Sequence, residues 1–129
     1  MFAKGQLDIF QQENNNETVM QIIDSLEPFN WMAQVSNDGV QRELKPIEYL
    51  ENGAMYEGEW HPETNERDGR GVQIWPDGSR YDGFWKDGVA SGYGRLVHAE
   101  GDVYEGTWKD DKANGFGYYS HYNGSRYEG

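Results

Sequence analysis

The pattern Tyr-x-Gly-x-Trp occurs three times, at Tyr56, Gly58 and Trp60, at Tyr81, Gly83 and Trp85, and at Tyr104, Gly106 and Trp108. A fourth copy begins at Tyr127 and reaches Gly129. Each full copy continues with Gly-x-Gly (Gly69 and Gly71, Gly92 and Gly94, Gly115 and Gly117), then with a turn pair, Asp77-Gly78, Glu100-Gly101 or Asn123-Gly124. The tyrosines at 81, 104 and 127 are 23 residues apart, whereas 25 separate Tyr56 from Tyr81. The two extra residues fall between Trp60 and Gly69, which marks a loop there. Followed backwards, the segment from Pro46 to Tyr56 overlays 71–81, 94–104 and 117–127, so the array starts near residue 46. A period this short that leaves room for two strands and two turns constrains the fold more than any other feature of the chain.

Each repeat reads as a β-hairpin: a strand on Tyr-x-Gly-x-Trp, a turn at Asp87-Gly88 or its equivalent, a second strand after Gly-x-Gly, then the Asp-Gly-type turn. Side chains alternate across a strand, so Tyr81, Gly83 and Trp85 share one face while Asp82, Phe84 and Lys86 share the other. The glycine between two aromatics leaves a bare patch that a ring can cover. Equivalent rings fall about 10 Å apart along the stack, since neighbouring strands lie about 4.8 Å apart, and second-strand residues are expected between them. The opposite face carries Glu57, Glu59 and His61 in the first repeat and Glu105, Thr107 and Lys109 in the third, and reads as solvated.

These motifs at this period resemble the MORN repeat, the membrane occupation and recognition nexus motif, over residues 46–129. Departures are Asp111 at the loop position of Gly88, and Pro46 where Gly71, Gly94 and Gly117 stand. The resemblance implies a mainly β fold, an elongated single-layer stack of twisted antiparallel β-hairpins, with no catalysis of its own. It further implies a groove lined by the repeated aromatics that takes a partner segment. Carried onto this chain, the partner-binding residues are Tyr56, Trp60, Tyr81, Trp85, Tyr104 and Trp108. MORN arrays are common in radial-spoke, axonemal and cytoskeletal proteins and occur beside lipid kinase, methyltransferase and membrane-junction domains. Segments 73–79 and 99–106 are similar to long MORN proteins of ciliated protists, which points the expectation toward a cilium or flagellum.

The 129 residues suit one module, divided into an N-terminal extension (1–45), a half repeat (46–55), repeats at 56–80, 81–103 and 104–126, and the start of another at 127–129. Aromatics form 15% of the chain and glycines number 17, so burial has to come from Trp and Tyr. The net charge of −12 is spread over both halves: residues 1–55 carry 3 basic and 9 acidic side chains, and 56–129 carry 8 and 14. Nucleic-acid binders and peripheral membrane binders both need basic surface, so nucleic acid is excluded and membrane binding disfavoured. Without cysteine, a long apolar run or a cationic-then-apolar start, the chain reads as cytoplasmic.

Residues 17–27 place Val19, Ile22, Ile23 and Leu26 at helical spacing, with Pro28 closing the run. Thr18 with Gln21 fits a capping box after the polar lead-in Asn14-Asn15-Asn16. A helix of about 11 residues is marginal alone. It either packs on the first hairpin of its own chain as a cap, or docks into a partner through Ile22, Ile23 and Leu26 with Phe29, Trp31 and Met32 as further anchors. A hairpin around Asn37-Asp38-Gly39, flanked by Val35 and Val40, is expected within 31–44.

No constellation supports catalysis. Each Gly-x-Gly precedes a strand-like segment, not a helix N-terminus, so none is a phosphate cradle. His98 and His121 share a repeat position with Trp75 and Leu50, which reads as a packing slot and not as a metal site. Glu57, Asp82 and Glu105 recur at one position after the tyrosine, which argues against a unique acid/base pair. Ser120 and His121 are adjacent in a strand, where side chains diverge. No cofactor is expected. The aromatic column has two readings, core or interaction platform. The expected function is a non-catalytic scaffold that binds other subunits of an axonemal or cytoskeletal assembly, with a further end-to-end or strand-addition contact at an open C-terminal edge. The alternatives are a phosphoinositide-binding module using Arg67, Arg70, Arg80, Lys86, Arg95, Lys109, Lys112 and Arg126, or the regulatory part of a longer enzyme.

Overall fold

The computed structural model describes residues 14–34, 38–121 and 126–128. One helix, α1 (Glu17–Ser25), precedes eight strands: β1 (Glu43–Tyr49), β2 (Met55–Trp60), β3 (Arg67–Ile74), β4 (Arg80–Lys86), β5 (Val89–Val97), β6 (Val103–Lys109), β7 (Lys112–Ser120) and β8 (Arg126–Glu128). The strands form one antiparallel sheet in chain order, so every connection is a hairpin. The fold is the mainly β stack of hairpins that the repeat predicts, with a short N-terminal helix.

Two kinds of turn alternate. Asp87–Gly88 and Asp110–Asp111 are two-residue loops in which both residues have positive φ, 50° and 83°, then 52° and 69°. This left-handed geometry matches the twist of the flanking strands. Asp111 tolerates it in place of glycine because its carboxylate works locally: Oδ1 accepts the Ala90 amide at 2.6 Å, while its own amide donates to the Ala90 carbonyl. The corresponding first loop, residues 61–66, is the longer one that the 25-residue spacing places there, closed by His61 N to Glu66 O at 2.8 Å. At the other end of the sheet, Leu50, Trp75 and His98 each open a turn of the same form, closed by bonds such as Gly78 N to Trp75 O and Trp75 N to Ser79 O, both 2.9 Å.

The two glycines of Gly-x-Gly have different jobs. Gly92 has a φ of +96° and lies in a bulge, where residues 91–93 stand opposite the single residue Phe84. Gly94 has no such strain; it faces Gly83 across the ladder, and a Cβ on it would overlap the ring of Tyr81. The same arrangement holds for Gly71 under Tyr56 and Gly117 under Tyr104.

The aromatic face, here the ladder face, holds one cluster of Tyr56, Trp60, Tyr81, Trp85 and Ala90 with Leu50, Trp75, Leu96 and Trp108 at its margin. The opposite face is solvated in the third repeat, where Thr107 and Lys109 are exposed, but over the first two repeats it is covered, contrary to the alternation reading. Val72, Ile74 and Phe84 are buried there beneath Phe29 and Trp31, and Glu57 and Asp82 are buried too. The reason is the N-terminal segment, which lies across this face. We call residues 27–34 the strap. The Asp82 carboxylate is satisfied by the Arg80 guanidinium, Nε to Oδ1 at 2.6 Å.

α1 packs through Val19, Ile22, Ile23 and Leu26 on Val97 and Val103, that is on β5 and β6 and not on the first hairpin. Its cap is Asn16, whose side chain accepts the Val19 amide at 3.1 Å; Thr18 lies inside the helix and forms no capping box with Gln21. Asn16 wins because its amide group also donates to Asp77 O (3.0 Å) and Ala99 O (3.1 Å), tying the helix start to two turns. The helix ends at Ser25, ahead of Pro28. Of the expected hairpin around Asn37, residues 35–37 lie outside the described residues; 38–42 form no strand, and β1 starts at Glu43. Arg42 instead bridges Asp38 and the buried Asp68, with Nε to Asp68 Oδ1 at 2.7 Å. The hydrogen bond that Arg42 donates to Asp38, opposed by burial and reinforced by Asp68, raises the pKa of Arg42.

Replacing Gly94 with alanine is expected to lower stability by about 1–3 kcal/mol, the range for overpacking a filled site. Urea denaturation should show a lower midpoint with an unchanged slope.

Candidate functional site

On the ladder face, strand alternation puts each Tyr and Trp of a repeat on one side with a glycine between, and the rings interlock. The ring centroids run Trp60–Tyr56 (5.1 Å), Tyr56–Trp85 (5.4 Å), Trp85–Tyr81 (5.1 Å), Tyr81–Trp108 (5.2 Å) and Trp108–Tyr104 (5.4 Å), with interplanar angles of 82–88°. Each edge-to-face pair contributes about 0.5–1.5 kcal/mol beyond its buried area. The tryptophan of the next repeat therefore lies between successive tyrosines, beside the second-strand residues Gln73 and Leu96 that pair with them.

Polar tips are satisfied in register. The hydroxyls of Tyr56, Tyr81 and Tyr104 donate to the carbonyls of Glu59 (2.8 Å), Phe84 (3.0 Å) and Thr107 (3.2 Å). Trp85 Nε1 donates to Gly71 O (3.3 Å), and Trp108 Nε1 to Gly94 O (3.0 Å). Trp60 breaks the series. Its Nε1 is buried without an acceptor among the described residues, because β1 carries a bulge at Pro46 and Ile47, where the next carbonyl would stand.

Of the six aromatic residues put forward as partner-binding, Tyr56, Trp60, Tyr81 and Trp85 are buried, none more than 6% exposed, and serve as core. Tyr104 and Trp108 are half-buried. The five residues put forward for secondary docking are held by the chain's own sheet: Ile22, Ile23 and Leu26 against β5 and β6, Phe29 and Trp31 in the core of the opposite face.

What the ladder face exposes lies beside the column. A groove of about 460 Å³ is lined by Trp75, Pro76, Asp77, Ser79, Leu96 and His98. Leu96 is the second-strand residue between Tyr81 and Tyr104, and Trp75 and His98 open successive turns. The slot shared by Leu50, Trp75, His98 and His121 is a rim position of this face: Leu50 and Trp75 pack on the aromatic cluster, and His121 Nδ1 lies 3.4 Å from Asp102. Among the described residues no three His, Cys, Asp or Glu side chains converge as metal ligands, and no helix is long and apolar enough to cross a membrane.

Among the described residues, Lys45 and Arg67 lie over the column. Lys45 Nζ is 5.0 Å from the Trp60 ring and Arg67 Cζ 4.6 Å from the Trp85 ring. Arg67 donates to the Gln73 side chain and to Gly88 O, and burial lowers its pKa. The sequence offers one signal for it: Arg67 faces Trp60 where Ala90 and Ala113 face Trp85 and Trp108.

This geometry, a Tyr and a Trp per hairpin interlocking over a glycine pair, belongs to the repeat itself, and the MORN-repeat family model matches residues 65–80, 81–103 and 104–126. Residues 65–126 are three MORN repeats. The first match begins within the long first loop, so β2 falls outside it although Tyr56 and Trp60 make the same edge-to-face ring contact as Tyr81 and Trp85. MORN repeats are non-catalytic interaction modules, and the chain has the architecture of one. No curated protein matches the chain.

Burial first, then the nearby Glu59 charge, raises the pKa of Tyr56 well above its ordinary value, and burial likewise raises that of Tyr81. In the unfolded chain both ionise near pH 10. A raised folded pKa means that the stabilisation is complete below pH 10 and is lost as pH rises further, because the unfolded state sheds protons that the fold retains. The expected slope is about 1.4 kcal/mol per pH unit per tyrosine. Urea midpoints measured from pH 8 to 11 should fall above pH 10, and Tyr81→Phe should reduce the slope by one proton.

Proposed function

We propose that the chain is a non-catalytic scaffold that holds a segment of another protein along the ladder face. The observation that carries this reading is the groove on the ladder face lined by Trp75, Pro76, Leu96 and His98. A rigid aromatic wall with an apolar floor suits a peptide in extended or helical form, and the fixed sheet supplies the preorganisation. We place the chain in a ciliary axonemal, radial-spoke-like or cytoskeletal assembly; this rests on the repeat type and on the likeness of segments 73–79 and 99–106 to protist MORN proteins. The acidic charge of both halves speaks against an anionic membrane as the partner.

The test is capture of partners from ciliated-cell extract with the full chain and with Leu96→Asp plus His98→Asp, after circular dichroism shows both folded. Axonemal proteins bound by the first and lost by the second support the reading. Equal capture by both moves the site off the ladder face.

A further inference from the structure

The strap shows what the opposite face recognises, since it lies on the sheet as a bound peptide would. Phe29 stacks on Tyr93 with centroids 5.6 Å apart, and the Arg95 guanidinium sits 5.8 Å from the Phe29 ring while donating to Glu27 O at 2.9 Å. Five residues after Phe29, Gln34 Oε1 accepts the Tyr93 amide at 3.0 Å. That amide lies in the bulge opposite Phe84, which has no acceptor to offer. One repeat earlier the equivalent amide, Arg70 N, is taken at 2.7 Å by Glu59, the residue in Phe84's place.

One repeat later the same seat recurs with different fittings. Phe116 stands where Tyr93 stands, Tyr118 where Arg95 stands and Thr107 where Phe84 stands. Phe116 and Tyr118 are 56% and 45% exposed, with rings edge-to-face at 5.5 Å. The Thr107 hydroxyl bonds to the Asn114 and Phe116 carbonyls, so it acts as a donor at this bulge, and among the described hydrogen bonds no side chain accepts from the Phe116 amide. At the adjoining hairpin end Lys109 and Lys112 pair across the ladder; both are exposed, with no carboxylate in ion-pair range among the described residues.

We propose that Phe116, Tyr118 and the Phe116 amide form a second docking seat, for a partner-protein segment that carries an aromatic side chain and, five residues on, a glutamate. The aromatic repeats the part of Phe29 on Tyr93. The glutamate repeats the part of Gln34 at the bulge, as Glu59 does in the first repeat, and meets Lys109 and Lys112. Phe29 and Trp31 of every copy are buried in that copy's own core, so the segment comes from a different protein. The seat is on the face opposite the groove and is independent of it.

The probe is a fluorescent peptide with the sequence of residues 26–34 carrying Gln34→Glu, titrated by anisotropy into the full chain. Saturable binding is expected, weakened about tenfold or more by Phe116→Ala with Tyr118→Ala, the loss of an aromatic anchor. Lys109→Glu with Lys112→Glu should weaken it several-fold, and more at low than at high salt. Both variants alter exposed side chains, and circular dichroism with urea midpoints checks their folds. Absence of binding overturns the proposal. So does equal binding to wild type and the aromatic variant, which would mean that the peptide displaces the strap. Concentration-dependent dimerisation in sedimentation, abolished by the aromatic variant, overturns it in favour of a second copy.

Discussion

Everything in this sheet depends on the edge-to-face contact between a tyrosine and the tryptophans on either side of it. A hairpin alone has no core; each ring becomes buried only when the next repeat slides its tryptophan into the gap. For that the sheet must come within ring-contact distance of itself, which is why two glycines face each other beneath every tyrosine. A Cβ at Gly58 would lie 2.5 Å from the Gly71 Cα. The glycines give up side-chain packing so that the rings can have it, and the core becomes aromatic instead of aliphatic.

The ladder covers one face only, and that leaves the other face to a different solution. Here the chain uses its N-terminal segment, with Phe29 and Trp31 over Val72, Ile74 and Phe84 and α1 over Val97 and Val103. The strap is joined to the sheet by polar ties at both its ends, Glu27 O to Arg95 and Gln34 to Tyr93. The division leaves two kinds of surface free: the groove at Trp75 and Leu96 on one side, and the exposed rings of β7 on the other.

The repeat, the hairpins, the turn positions and the long first loop were legible in the sequence because they rest on local rules that recur at fixed spacing. That the Tyr and Trp of one repeat share a face also followed from alternation; that the tryptophan of the next repeat packs on each tyrosine did not. The buried second face was not legible. Its apolar residue Phe84 alternates in the repeat with Glu59 and Thr107, so a reading by repeat position sees a polar average. What makes Phe84 core is the strap, and nothing local to residues 27–34 says where they dock. The helix cap failed for the same reason: Thr18-x-x-Gln21 satisfies the local rule, whereas Asn16 satisfies that rule and also binds the turns at Asp77 and Ala99. The candidate site was not legible either: the repeat position of Leu96 holds Gln73 and Tyr119 in the other copies, so the groove it lines belongs to no repeated pattern.

The two halves of the molecule also differ in how far along the chain their contacts reach. The sheet joins only neighbouring strands, whereas Asn16 bonds to Ala99 across 83 residues, Glu27 to Arg95 across 68 and Gln34 to Tyr93 across 59. Local hairpins close fast, and distant pairings wait on loop closure. During synthesis the amphipathic helix and the strap emerge first, yet the β5 and β6 surface that receives them is completed only near Val103. The helix and strap therefore wait for strands made well after them, and for that interval their apolar residues, and the face they will cover, are both exposed.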